Sequence, residues 1–110
     1  METTVVEKPG FMPPVSKKYE KNIFILNLRD PSFCLKSPIP ILLEYDDETY
    51  VAVSYDLNLF GYADNEQEAI TDLCHEIIDY YLDLKKDYEF ASKEMKNHWQ
   101  FLQMVVTECN

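Results

Sequence analysis

The chain has 110 residues, nearly half of them apolar, and a formal net charge of −10. That length suits one domain, and its two glycines, Gly10 and Gly61, are too few for the Gly-rich loops that cradle phosphates. Acid in this excess repels nucleic-acid phosphate and anionic lipid alike, so direct nucleic-acid or membrane binding is not expected.

Residues 1–21 hold Pro9, Gly10, Pro13 and Pro14 among polar residues with no periodicity. They read as an N-terminal arm, flexible or extended over the surface, with residues 22–110 forming a single domain. The β-branched and aromatic run over residues 22–28 has strand length and composition. Asp30-Pro31-Ser32 is turn chemistry. Pro38 and Pro40 cannot donate into a ladder, so residues 33–40 are expected to be extended at an edge or to lead into the next strand.

The clearest pattern follows. Ile41-Leu42-Leu43-Glu44-Tyr45 reads as a strand, Asp46-Asp47-Glu48-Thr49 as a polar turn, and Tyr50 to Tyr55 as a second strand. Alternation puts Val51, Val53 and Tyr55 on one face of that strand and Tyr50, Ala52 and Ser54 on the other. Asp56-Leu57-Asn58 breaks the pattern, and Leu59 to Ala63 reads as a third strand. Asp64 is placed to cap a helix, with Gln67 three residues on and Glu66 and Glu68 in the first turn, where the helix dipole favours acid. Ile70, Leu73, Cys74, Ile77, Tyr81 and Leu84 recur at three- and four-residue steps, opposite Glu68, Asp72, Glu76, Asp79 and Asp83. The spacing predicts an amphipathic helix of about six turns with its apolar face on the sheet. A second helix, without a strong cap, is expected at about 91–106, with Ala91, Met95, Trp99, Leu102 and Val106 near one face. Phe90, Phe101 and Met104 fall off that stripe and are free to pack on the sheet or on another copy of the chain. The fold class is therefore α+β. A three- to four-stranded, mainly antiparallel sheet is packed by one long helix, with a second C-terminal helix and a core unit at residues 41–89.

Charge is concentrated in the middle of the chain. Residues 44–89 carry fourteen acids against Lys85 and Lys86, while residues 1–36 carry six basic residues against four acids. Such a segment either keeps the protein soluble or draws in a basic partner. Cys34, Cys74 and Cys109 are odd in number and lack paired spacing, so three free thiols in a reducing cytosol are expected. METTVVEKPG lacks the basic start and apolar core of a signal peptide, and no apolar run reaches the ~20 residues of a membrane span, which gives a cytoplasmic expectation.

Catalytic patterns are weak. His75-Glu76-Ile77-Ile78-Asp79 has an aspartate where a zincin helix needs its second histidine, so no metal site and no cofactor are expected. Two-carboxylate hydrolysis needs an acid in an apolar pocket, whereas Asp46-Asp47-Glu48 fall in a hydrated turn. Tyr45, Tyr50, Tyr55, Phe60 and Tyr62 could stack bases on a sheet, but that mode needs a basic groove. No Lys or Arg lies between Glu44 and Leu84.

Residues 40–86 resemble the HicB-like antitoxin domain. The match runs through Pro40 to Tyr45, then Thr49 to Leu57 with its "Y-x-A" step, then Leu59 to Ile70. The family's "P-E-L" corner is Tyr55-Asp56-Leu57 here, without the proline, and the threonine of its "D-T-x-E-E-A" helix start is Asn65, with Glu68-Ala69 matching. The resemblance implies a small sheet with one helix packed on it, which masks a small basic ribonuclease toxin by covering it. Some members add a C-terminal DNA-binding element. Residues 89–110 hold only Lys93 and Lys96, too few for one. The expected function is thus a non-catalytic, protein-binding module. Asp46, Asp47, Glu48, Asp72, Glu76 and Asp79 would steer a basic partner, and Tyr50 and Tyr62 would anchor it. The alternative is an orphan HicB-like domain with a structural or regulatory role and no toxin. It would be a homodimer or higher homo-oligomer, with Trp99, Phe101 and Leu102 at the interface.

Overall fold

The computed structural model describes residues 19–109. The expected arm therefore lies mostly outside the described residues, but its boundary moves: a strand, β1 (Tyr19–Ile25), already begins at Tyr19. It is followed by β2 (Phe33–Leu35), β3 (Ile39–Asp46), β4 (Thr49–Ser54), β5 (Leu59–Ala63), α1 (Glu66–Asp87), a 3₁₀ turn (Tyr88–Phe90), α2 (Lys93–Val105) and β6 (Val106–Glu108). The fold is α+β. Strands β1, β3, β4 and β5 form one antiparallel sheet in the order β1-β3-β4-β5, and β2 pairs with β6 in a separate ribbon.

β1 starts three residues earlier than the apolar run at residues 22–28 implies. Tyr19, Glu20 and Lys21 are polar or amphipathic, yet they pair with Tyr45, Glu44 and Leu43, because β3 is long enough to template them. Pro40 sits inside β3. It faces Phe24 on one side and lies beyond the end of the β4 ladder, which runs only from Leu42 to Asp46, so a missing N–H is tolerated there. The turn at residues 30–32 forms as expected: the Asp30 carboxylate accepts from Ser32 N at 2.8 Å and its carbonyl from Phe33 N at 3.2 Å.

The β3–β4 hairpin closes on two residues, Asp47 and Glu48, both with positive φ, at 50° and 66°. This is the type I′ geometry whose twist matches the flanking strands. A non-glycine residue is strained in that region, and glutamate lacks the short side chain that lets aspartate or asparagine settle there. Glu48→Gly is therefore expected to stabilise the domain by about 1 kcal/mol, read as a rise in the urea midpoint with an unchanged slope. A fall in the midpoint would show that the Glu48 side chain makes a compensating contact.

The β4 alternation holds, and the structure shows which side is core. Ala52 and Ser54 are fully buried beneath α1, while Val51 and Val53 lie on the outer face. The small residues face inward because the helix comes very close. Gly61 pairs with Ala52, and a Cβ on Gly61 would fall inside contact distance of Leu73 N and Ala69 O. The buried Ser54 hydroxyl is satisfied by accepting from Leu57 N at 3.3 Å.

α1 has 22 residues, and Ile70, Leu73, Cys74, Ile77, Tyr81 and Leu84 are all buried, joined by Ala69 and Ile78. Its cap is Asn65 rather than Asp64: the Asn65 side chain accepts from Glu68 N at 2.9 Å. Either residue has the chemistry of a cap, and the point where the chain leaves β5 decides between them. The resemblance had set Asn65 at the capping threonine. α2 does have a cap, contrary to expectation, since Ser92 Oγ accepts from Met95 N at 3.2 Å. No basic residue lies in its last turn, but Lys36 supplies one from outside. Its Nζ donates to Gln103 O at 2.6 Å and its backbone N to Val105 O at 2.7 Å.

The core is one cluster in which β1, β3 and β4 meet α1, with Leu102, Val105 and Val106 closing its far end. Tyr81 ties the C-terminal elements to it, with its ring 5.7 Å from Phe33 and 5.1 Å from Trp99. The expectation of three free thiols is overturned. Cys34 and Cys109 form a disulfide that clamps the β2–β6 ribbon, and only Cys74 is free, buried against the sheet. The ribbon is what brings them together: Cys34 pairs with Thr107, two residues before Cys109, across a sequence separation of 75.

No helix among the described residues is long and apolar enough to cross a membrane.

Candidate functional site

Cations in this fold are largely spent on internal contacts. The sole arginine, Arg29, stands at positive φ and spans the gap to α1. It donates to Gln67 O at 2.9 Å, Gln67 Oε1 at 2.8 Å and Thr71 Oγ1 at 2.8 Å. Lys21 pairs with Glu66 at 3.1 Å, Lys85 pairs with Glu108, Lys36 caps α2, and Lys96 stands over the Tyr88 ring. The acids of the outer helix stripe are not so used. Glu76, Asp79 and Asp83 are exposed, and no Lys or Arg among the described residues lies within ion-pair distance of them. The result is an acidic stripe along α1 that runs through Glu76, Asp79 and Asp83 and ends at Lys86 in the last turn.

The residues expected to bind a partner do not form one patch. Asp47 and Glu48 are exposed at the hairpin tip, and Asp46 is half-buried beside them. Glu76 and Asp79 lie far along α1. Asp72 is turned inward to the sheet edge, where its Oδ2 accepts from Tyr62 N at 3.0 Å. This covers one outward N–H of the edge strand β5, a common way of blunting an edge. The two anchoring tyrosines are on opposite faces. Tyr50 points to the helix side and joins Tyr45 and Tyr19 in an aromatic row, with centroids 4.6 Å from Tyr45 and 6.4 Å from Tyr19. Tyr62 points outward, 58% exposed, with its ring stacked on Phe60 at 6.4 Å. Alternation assigns faces within one strand, but which residues of two strands share a face depends on their register, here Tyr50 opposite Ala63 and Val51 opposite Tyr62.

Tyr62 and Asp72 do meet, with Glu68, Thr71 and His75, around an open recess of about 300 Å³ between β5 and α1. His75 and Asp79 are both exposed on the helix surface. Among the described residues no group of three or more metal-ligating side chains converges.

The expected oligomer contacts are largely consumed within the chain. Leu102 has no exposed surface, so it cannot serve an interface, and Trp99 and Phe101 are half-buried against the core. Phe90 and Met104, by contrast, are 86% and 72% exposed. Phe90 borders a groove of about 410 Å³ with Tyr80, Leu84 and Met95, rimmed by Asp83 and Asp87.

Two polar contacts had no signal in the sequence. The Tyr80 hydroxyl lies 2.6 Å from His98 Nδ1 and fastens α2 to α1, and burial pushes the Tyr80 phenol up. At the C-terminus, Glu108 accepts from Lys85 and, at 3.3 Å, from the Tyr81 hydroxyl. The Lys85 ammonium holds the Glu108 carboxyl below its ordinary value of 4.5 and is itself raised above 10.5. The carboxylate contribution is present above pH 4.5 and fades as pH falls through the lowered value. The ammonium contribution is complete below 10.5 and fades as pH rises through the raised one. Between those limits β6 is held most firmly. Protection of the β6 amides against exchange is expected to fall as pH drops below 4.5, ahead of that of β3 and β4, and Glu108→Gln should abolish that acid-side step. An unchanged β6 profile in the variant would mean that the pair contributes nothing.

No protein-family model, characterised protein or solved structure matches the chain.

Proposed function

We propose that this chain is a non-catalytic binding module of the HicB-like antitoxin type, whose partner is a small basic protein such as a ribonuclease toxin. The observation that carries the reading is the unequal use of charge. Five of the seven described cations, Lys21, Arg29, Lys36, Lys85 and Lys96, serve internal contacts, while Glu76, Asp79 and Asp83 on α1 and Asp47 and Glu48 at the hairpin tip face outward unneutralised by any described Lys or Arg. Uncompensated charge of one sign speeds encounter with its opposite and costs the domain some self-repulsion. The α+β layout of a four-stranded sheet under one long helix agrees with what the resemblance implies. A cytoplasmic location goes with the reading. There the exposed Cys34 and its partner Cys109 would meet a reducing thiol pool, so the relevant form includes the reduced one.

The test is co-expression with the product of a short basic reading frame beside its own, followed by affinity purification at low and high salt. A co-purifying basic protein, released by salt and inhibited in its ribonuclease activity, is the expected result. Recovery of self-associated chain alone would overturn the reading in favour of an orphan oligomeric domain. Stoichiometric zinc in the purified protein would overturn its non-catalytic half.

A further inference from the structure

The sheet has two faces, and α1 covers only one. On the other, the register aligns Leu42, Val53 and Phe60 across β3, β4 and β5, with Phe24 in the adjoining row of β1. Val53 is only 3% exposed at the centre, although it is not part of the helix-side core. On the same face Phe24, Phe60 and Tyr62 are 64%, 43% and 58% exposed. A buried apolar centre with exposed aromatics on both sides of the sheet's middle is the composition of an interface rather than of a solvated face. Acid borders it: Glu20 and Glu44 share the next row with Val51 and Tyr62. No strand residue pointing to this face is Lys or Arg.

That charge decides between occupants. A second copy would bring the same carboxylates against Glu20 and Glu44, between two chains of net charge −10. We infer that the outer face of the β1-β3-β4-β5 sheet is the docking surface for the basic partner. It receives a segment that carries apolar side chains between lysines or arginines. This rests on the proposed function and deepens it, since it moves the contact from the acidic helix stripe to the opposite side of the molecule. The stripe then steers the approach, and the aromatic face supplies the affinity.

The full chain is titrated with two labelled probes, a peptide alternating lysine with leucine and a polylysine of equal charge. The alternating peptide is expected to bind about tenfold more tightly, and Phe24→Lys and Phe60→Lys should each remove that margin. Glu76→Lys should weaken both probes alike and leave the margin intact. Both phenylalanines are substantially exposed, and thermal melts check that each variant folds. Independently of any variant, amide shifts on adding the alternating peptide should centre on Phe24, Val53 and Phe60. Shifts confined to α1, or no margin between the probes, would overturn the inference and leave a basic-partner module intact. Binding of neither probe would overturn both. Concentration-dependent self-association protecting Phe24 and Phe60 would show the face to be a homodimer interface and overturn it as well.

Discussion

Gly61→Ala is expected to lower the stability of the domain by about 3 kcal/mol or more, the upper part of the range for overpacking a rigid core. The reason is local and specific. A Cβ at Gly61 would collide with Leu73 N and Ala69 O and would stand 2.8 Å from Leu73 Cα. All three are backbone atoms of α1, so no side chain can swing aside to make room. The helix would have to lift from β5, opening the layer that buries Ala69, Leu73 and Ala52 without remainder. Urea unfolding followed by far-ultraviolet circular dichroism measures the loss. A change below about 0.5 kcal/mol, the scale of an inconsequential surface substitution, would show that α1 does not sit so close to β5.

Breaking the Cys34–Cys109 disulfide is expected to cost about 2–4 kcal/mol, with about 4.5 kcal/mol as the chain-entropy limit for a loop of this length. The loss should be unevenly distributed. β2 and β6 depend on each other and on the clamp, and their amides should exchange faster after reduction. β3 and β4 sit in the main sheet and should change less. A thiol reagent reports the same arrangement. Burial hides Cys74 and pushes its thiol up to about 11, so the folded, oxidised protein should not react. Unfolding should expose one thiol and reduction three, as counted from Cys34, Cys74 and Cys109. Two reactive thiols in the folded protein would contradict the pairing. With Cys34 and Cys109 paired, the cysteines do not point to a reducing compartment, and a cytoplasmic setting goes only with the proposed function.

The candidate site was less legible than the fold. Acid type and density along residues 44–89 are properties of sequence, and exposure of Asp47, Glu48, Glu76 and Asp79 followed from their spacing. Asp72 obeyed the same helical period and still turned inward, because β5 offers an edge N–H within its reach. Tyr50 and Tyr62 have the same chemistry and ended on opposite faces, because Tyr50 shares its row with Ala63 and Tyr62 shares the next row with Val51. Leu102 matched an exposed-interface stripe only as long as the chain's own core was out of view.

Features that repeat within a few residues are legible from local patterns. The period of two in Tyr50 to Tyr55, the three- and four-residue steps from Ile70 to Leu84 and the acid-rich hairpin tip each specify an element from local physics alone, and the order of those elements specifies an α+β fold. The remaining features depend on residues far apart in the chain. Which face of β4 is core was settled by how closely α1 approaches Gly61. The short β2 and β6 strands have too few residues to announce themselves and exist only by pairing with each other. The cysteines, with no spacing to mark them as partners, are joined because that ribbon carries Cys109 back to Cys34 across 75 residues. Such contacts form only after loop closure has been offset by the rest of the core, so no local pattern encodes them.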